Sequence, residues 1–433
     1  MPEMLTGQIY DLFKKSSGIT IDSRNAGKGQ LFFALWGHNF NGNKYALEAI
    51  EKGAEWAIID DPLYESEKTI LVDDCLLELQ ALAVHHRKML NVPVIAVTGS
   101  NGKTTTKELL AAVLSKKFKI HYTQGNLNNQ IGVPLTILSA TDSTMMMIIE
   151  MGANHIGEIS ALCQIANPDY GIITNIGTAH IEGFGSAEGV VKAKTELYEY
   201  LNKVNGIALY NDKDPLLTEK IFKMVKRAVP FSDPTGMELG VELISSDLNL
   251  IIRVIYQKHS YDIITNLFGS FNIENIKAAI ATGLFFGVEI TDVIKAIENY
   301  QPRNNRSQVK FTGKNTLICD SYNANPTSMQ LALESFADTP SKNKFLILGD
   351  MLELGKISDD EHLKIINSLY RFQADKIILV GPIFKKMAEE SSLMTFSNVS
   401  QLTDYMKDTN IEDATILIKG SRGIGLEKIY DIL

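Results

Sequence analysis

Short apolar runs alternate with helix-period stretches along most of the chain. Leu31-Phe-Phe-Ala-Leu35, Trp56-Ala-Ile-Ile-Asp60 and Thr69-Ile-Leu-Val72 have the length of strands, and amphipathic stretches at Asn43–Lys52 and Cys75–Met89 predict helices. This reads as a small α/β unit, ended by Asn91-Val-Pro93, because a proline biases the residue before it away from the helix. A second segment opens with Val94-Ile-Ala-Val-Thr98, an uninterrupted apolar run suited to a buried parallel strand. Further strand-sized runs lie at 145–150, 170–174 and 206–210, with helical patterns at 104–117, 157–165, 189–202, 273–286 and 291–299 and an alternating β-rich stretch at 241–265. After the polar linker Tyr300-Gln-Pro-Arg-Asn-Asn-Arg306, strand runs at 316–319, 345–348, 376–380 and 415–418 alternate with helical patterns at 326–336, 359–371, 384–390 and 423–433. That alternation predicts a doubly wound parallel sheet. The breaks divide the chain into 1–90, 91–305 and 306–433.

A length of 433 residues allows two to four domains at about 100–200 residues each. The balance of 42 basic and 51 acidic residues, net −9, disfavours nucleic acid as the main partner, since a phosphate backbone calls for a surplus of Lys and Arg. No apolar run reaches the roughly 20 residues of a membrane span, and the N-terminus lacks a basic stretch followed by an apolar one. Cys75, Cys163 and Cys319 are far apart and odd in number, as expected of buried thiols in a reducing cytoplasm.

Candidate chemistry starts at Val97-Thr-Gly-Ser-Asn-Gly-Lys-Thr-Thr-Thr106, between a predicted strand and a predicted helix. Gly99 and Gly102 let backbone N–H groups approach phosphate oxygens. Lys103 offers a charge to the β- and γ-phosphates, and Thr104 a hydroxyl to Mg²⁺. Ser100, Asn101 and Thr105 complete the loop. It is a variant of GxxxxGK[ST], because Val97 stands at the first glycine position. Glu150 closes an apolar strand and His180 follows another, so both are placed at the sheet edge where α/β sheets bind ligands. Lys194 taken alone reads as a solvated helix lysine.

Thr98–Thr104, Asn126-Leu-Asn-Asn-Gln-Ile-Gly-Val-Pro134, Glu150-Met-Gly-Ala153 and Ala179-His-Ile-Glu-Gly-Phe-Gly185 together resemble the Mur ligases of peptidoglycan synthesis. Asp320-Ser-Tyr-Asn-Ala-Asn-Pro326 and Leu348-Gly-Asp-Met-Leu-Glu-Leu-Gly355 resemble the members that add D-alanyl-D-alanine. The likeness spans nearly the whole chain, from Ile21-Asp-Ser-Arg24 to Ile418-Lys-Gly-Ser-Arg422.

The resemblance implies three domains: an N-terminal one for the UDP-linked substrate, a central one with a P-loop ATPase-like parallel sheet, and a C-terminal Rossmann-like one that binds the dipeptide and closes on ATP. It implies an ATP-dependent, ADP-forming amide ligase that joins D-alanyl-D-alanine to UDP-N-acetylmuramoyl-tripeptide through an acyl phosphate. Mg²⁺ would be held by Thr104, Glu150, His180 and Lys194, the last carbamylated. Asn275 would contact adenine, and Arg306, Asp320, Asn323 and Asn325 would close over ATP. Ser23 and Arg24 would hold the UDP part, and Asn128 and Asn129 would lie near the reacting end of the substrate. Two positions depart from the family pattern: Phe271 where histidine is usual, and Asn41-Gly-Asn43 near the uridine site. A monomer is the default expectation. His362, Asp350 and Glu353 are open candidates for taking the amine's proton. Rival readings are another ligase of the superfamily such as a folylpolyglutamate synthetase, a nucleotide switch, and a nucleic-acid motor.

Overall fold

The apolar runs pair in parallel within three separate sheets of the computed structural model, which describes residues 2–177 and 181–433. The first sheet runs Ile19–Thr20, Leu31–Phe33, Trp56–Ile59, Thr69–Leu71, all parallel. The helix Cys75–Leu90 follows, capped by the Asp74 side chain on the Leu77 N–H. It ends at Asn91, whose φ of 45° is the left-handed turn that Asn adopts readily, two residues before Pro93. A helix at Pro2–Lys15, absent from the sequence reading, buries Ile9 and Phe13.

The second sheet has the order Ala228–Pro230, Ile207–Tyr210, Tyr170–Ile173, Val94–Thr98, Met146–Glu150, Ile120–Tyr122, again all parallel. The chain leaves Val94–Thr98 for the edge strand, returns through Met146–Glu150, then crosses to Tyr170–Ile173. Strand order therefore reverses around Val94–Thr98, and the crevice at its carboxyl end is the ligand position of such sheets. Register sets Val97 opposite Glu150 and Thr98 opposite Ile173. The β-rich stretch is an antiparallel meander, Leu239–Ser246, Leu250–Tyr256, His259–Ile264.

The third sheet has the order Gln308–Phe311, Thr316–Asp320, Thr415–Lys419, Lys344–Gly349, Lys376–Val380, Met394–Phe396. Its first strand is antiparallel and the rest parallel, so the doubly wound expectation holds with one added edge. The helix expected at 423–433 does not form. Two 3-10 turns, Arg422–Ile424 and Leu426–Ile429, replace it, separated by Gly425 at φ 75°. The left-handed glycine interrupts what apolar spacing alone suggested. No helix among the described residues is long and apolar enough to cross a membrane.

The first sheet and one face of the second share a single apolar core, whereas the third sheet packs two further clusters, one of which takes in Phe268 of the central segment. The seam between the first two is the helix Cys75–Leu90 packed on the helices Gly132–Leu138 and Glu158–Ala166. Arg87 crosses it: its guanidinium donates to the carbonyls of Ala166 (3.1 Å) and Asn167 (3.2 Å) and pairs with Asp169 (3.1 Å). A cation there caps the last carbonyls of a helix and complements its dipole. Arg87→Met leaves those carbonyls unpaired and is expected to cost about 2–4 kcal/mol, read as a lowered urea midpoint. An unchanged midpoint would refute this role.

Candidate active site

The loop expected to hold phosphate joins the strand Val94–Thr98 to the helix Lys103–Leu114. Gly99 has φ 146° and Gly102 φ 79°. A Cβ on Gly99 would overlap the Thr174 hydroxyl, and one on Gly102 the Asn275 side chain. Glycine is therefore required twice, by backbone angle and by space. Gly102 is the N-cap and supplies no side-chain acceptor, so the first N–H groups of the helix are available to an anion. The loop is braced from behind. Asn175 accepts the Ser100 N–H on its carbonyl and the Asn101 N–H on its side chain, both at 3.0 Å, and Thr174 donates to the Asn101 carbonyl at 2.6 Å. Sequence reasoning missed Thr174 and Asn175; their signal is a polar pair just past a buried strand.

Lys103 donates to the carbonyls of Gly99 (2.7 Å) and Ser100 (3.2 Å). Burial pulls its pKa below that of an ordinary lysine; Glu150 and Glu353 oppose this and Arg306 reinforces it. Thr104 donates its hydroxyl to one oxygen of Glu150 at 2.9 Å, and Asn128 donates to the other at 2.8 Å. Lys107, fully buried, stands 3.6 Å from Glu150 and donates to the Thr123 carbonyl at 2.6 Å. It was also missed. A lysine one turn before the buried Leu110 and Ala111 of the same helix was the signal, since such a charge needs a partner.

Thr104 and Glu150 bring a hydroxyl and a carboxylate together, the hard oxygen donors that Mg²⁺ takes alongside water and phosphate. The residues present thus fit the ion. His180 lies outside the described residues. Lys194 is buried, and its ammonium nitrogen has no hydrogen-bond partner among the described residues. It sits 5.3 Å from the Phe184 ring centre. Burial, helped by the Lys103 charge, pushes its pKa down to about 7, against the pull of Glu158 and Glu196. The solvated-lysine reading of this residue is therefore wrong: helix Ala187–Lys203 turns Lys194 into the core.

The third sheet contributes the opposite wall. Asn325 caps the helix Pro326–Ala337 through a capping box with Ser328, and its amide donates to the Asn101 side chain of the phosphate loop at 2.7 Å. Asp320 accepts from Lys419 at 2.6 Å and from the Ser307 N–H at 3.0 Å. The Arg306 guanidinium lies over the Tyr322 ring, 3.6 Å from its centre. Asn275 accepts from Thr106 at 3.0 Å and donates to Asn272 at 2.8 Å. Asn323 accepts the Ala324 N–H on its side chain.

A cavity of about 960 Å³ opens among these groups. Its lining includes Ser100 through Thr105, Asn128, Asn129, Glu150, Asn275, Arg306, Asp320, Asn323 and Asn325, so most of the predicted residues meet in one place. Gly99 is not in the lining, and its carbonyl accepts from Lys103, which is. Ser23 and Arg24 do not line it. Ser23 is buried in a short turn near the first sheet, and Arg24 is exposed and paired with Asp22 at 2.8 Å. Phe271 lines the cavity, whereas Asn43 is buried and tied to Asn41 and Asp60, a structural knot in the first sheet's loops.

Two proton-acceptor candidates are withdrawn by their surroundings. His362 is buried, accepts the Met351 N–H at 3.0 Å on one nitrogen and faces the Ser358 carbonyl at 2.7 Å with the other. Burial keeps its pKa below the ordinary value, so it is a neutral structural imidazole. Asp350, buried, accepts the N–H groups of Ile383 and Phe384.

Comparison with known proteins agrees along the chain. The sequence model of the Mur ligase family catalytic domain matches residues 15–112, that of the Mur ligase middle domain 97–283, and that of the Mur ligase glutamate ligase domain 305–422. The chain is similar to the UDP-N-acetylmuramoyl-tripeptide–D-alanyl-D-alanine ligase of Bacillus subtilis, 33% identical over 95% of this chain and 92% of that one. The Escherichia coli ligase of the same name is 32% identical over 100% and 97%. Among solved structures, MurF from Acinetobacter baumannii superposes with a TM-score of 0.84 at 30% identity, covering 96% of each chain. MurF from Thermotoga maritima in complex with ADP gives 0.84 at 25% identity, covering 98% and 97%.

Proposed function

The chain belongs to the Mur ligase family, and from that premise we propose that it joins D-alanyl-D-alanine to UDP-N-acetylmuramoyl-tripeptide at the expense of ATP. The supporting observation is one cavity in which the glycine-lysine-threonine loop, the Thr104–Glu150 pair and the Asn323–Asn325 loop converge. The full-length likeness to D-alanyl-D-alanine ligases narrows the substrate.

A carboxylate does not form an amide directly at neutral pH, because its oxygen is a poor leaving group. The tripeptide carboxylate attacks the γ-phosphorus of ATP, ADP leaves, and the acyl phosphate carries a good leaving group. Lys103 and the helix N-terminus behind it hold the phosphates and balance their charge. Thr104 and Glu150 would hold Mg²⁺, with His180 and a carbamylated Lys194 as further ligands. When bound, the ion supplies charge neutralisation on the transferred phosphoryl group. Asn275, Arg306, Asp320, Asn323 and Asn325 bind and orient the nucleotide. Ser23 and Arg24 hold the UDP part in the first domain (1–90), ATP sits in the second (91–305), and the third (306–433) brings the dipeptide. The linker 301–306 is the hinge that lets the third domain close. The enzyme works as a cytoplasmic monomer.

Carbamylation needs an un-ionised amine. With a pKa of about 7, Lys194 is mainly ammonium below that pH and mainly free amine above it. A ¹³C carbamate signal is therefore expected to grow from about pH 6 to about pH 8 in labelled bicarbonate, and to vanish in Lys194→Ala. No signal at any pH would remove Lys194 from the ligand set.

The substrate reading is tested by coupled ADP release. Stimulation by D-alanyl-D-alanine, and none by D-glutamate or L-glutamate, supports it. The reverse preference would make the chain a different ligase of the same family.

A further inference from the structure

The strand Thr415–Lys419 lies between Thr316–Asp320 and Lys344–Gly349 in the third sheet, with Leu417 facing one apolar cluster and Ile416 and Ile418 the other. Its two neighbours continue into the helices Pro326–Ala337 and Ser358–Ser368, which pack on the Leu417 face. Thr415–Lys419 continues instead into the 3-10 turn Leu426–Ile429 on the opposite face. Adjacent strands whose continuations part in this way leave a crevice at their carboxyl ends, the place where such sheets hold ligands. Tyr322 follows one of the strands that flank the crevice and Arg422 follows the other.

Arg422 is exposed, and its guanidinium lies 5.6 Å from the centre of the Tyr322 ring, the ring that also carries Arg306. No carboxylate pairs with Arg422 among the described residues. Its backbone is fixed. Ser421, buried beside it, donates its N–H to the Asp350 carbonyl at 3.1 Å and accepts the Leu352 N–H on its hydroxyl at 2.9 Å. A neighbouring ring restricts the side chain and leaves the guanidinium N–H groups for a ligand.

The proposed ligation, on which this inference rests, uses a dipeptide with two charged ends. The amine must reach the acyl phosphate, and the carboxylate must be held away from the phosphates that repel it. Tyr322 lines the active-site cavity, and Arg422 stands beside its ring. An extended dipeptide spans about 7 Å, enough to lie along Tyr322 with its carboxylate at Arg422 and its amine in the cavity. The other cations of this wall are placed for other work. Lys419 is paired with Asp320 at 2.6 Å, and the Arg306 charge acts on Lys103 at the phosphate loop. We propose that Arg422 binds the carboxylate of the incoming dipeptide and so selects an amine substrate with a free carboxyl end. Tyr322 is a positioning residue for the guanidinium. A guanidinium suits this task because two parallel N–H groups match the two carboxylate oxygens.

The test crosses the side chain with the group it would hold. Wild type, Arg422→Ala and Arg422→Lys are assayed for amide formation with D-alanyl-D-alanine and with its C-terminal amide, which lacks the negative charge. Wild type is expected to prefer the carboxylate form by about 10–100-fold in kcat/KM. Arg422→Ala should lose about the same factor with D-alanyl-D-alanine, mainly through KM. It should use the two dipeptides within about 3-fold of each other, because the interaction is then absent from both. Arg422→Lys keeps the charge without the paired donors and should retain part of the preference. An Arg422→Ala protein that keeps the wild-type preference for the carboxylate would overturn the proposal, however slow it had become. Equal use of the two dipeptides by wild type would overturn it without any variant. Wild type that makes amide from neither dipeptide would overturn the functional reading, and this inference with it.

Discussion

Lys103→Ala is expected to lower kcat for ligation by at least about 10³-fold, with the protein still folded. Lys103 opens the helix Lys103–Leu114, and its ammonium lies along the carbonyls of Gly99 and Ser100, within the crevice. Burial already works against its charge. Removing it should leave stability unchanged or raised, because a partly desolvated cation contributes little to folding. Charge on a transferred phosphoryl group, in contrast, has no other lysine of the loop to meet it. The measurement is single-turnover ADP formation beside a thermal melt. Retained turnover, or an unfolded variant, would each contradict the assignment.

Glu150→Gln should be nearly as damaging, by another route. The carboxylate accepts from Thr104 and Asn128 and lies 3.6 Å from Lys107. Glutamine keeps the shape and loses the charge that a divalent ion needs. It also leaves the buried Lys107 with Glu108, 3.0 Å away, as its remaining carboxylate neighbour. A kcat loss of about 10²–10³-fold is expected, together with a Mg²⁺ requirement shifted upward by about 10–100-fold. An unshifted Mg²⁺ titration would mean that Glu150 holds the loop and not the ion. Lys107→Met offers a finer comparison. It should raise the Mg²⁺ requirement less than Glu150→Gln, since it disturbs the carboxylate without removing it.

The parts legible in the sequence were those with local causes. Apolar runs such as Val94–Thr98 and Lys376–Val380 coincide with strands, because a strand buried on both faces must be apolar throughout. Gly99, Gly102, Lys103 and Thr104 were legible because backbone angle and phosphate chemistry dictate those residue types together. Asn325 was read as a closing-face residue. It caps Pro326–Ala337 and also reaches Asn101 across the cavity.

What escaped depends on which surfaces meet in three dimensions. Thr174 and Asn175 brace the phosphate loop from a neighbouring strand that is more than 70 residues away in sequence. Lys107 gains its meaning only where the sheet places Glu150 3.6 Å from it. His362 looked like chemistry and is a backbone anchor. The terminal helix at 423–433 followed from apolar spacing and failed on Gly425. Lys194 moved the other way, from a bland surface residue to a buried amine with a pKa near that of water-exposed histidines.

The most direct test of ligation through an acyl phosphate uses tripeptide substrate labelled with ¹⁸O in its terminal carboxylate, incubated with the purified chain, ATP, Mg²⁺ and D-alanyl-D-alanine. Mass spectrometry then reads both products at once. The account predicts a UDP-linked pentapeptide whose new amide retains one labelled oxygen, and released phosphate that carries the other. Pentapeptide formed with unlabelled phosphate, or labelled phosphate formed equally well without the dipeptide's incorporation, would contradict it.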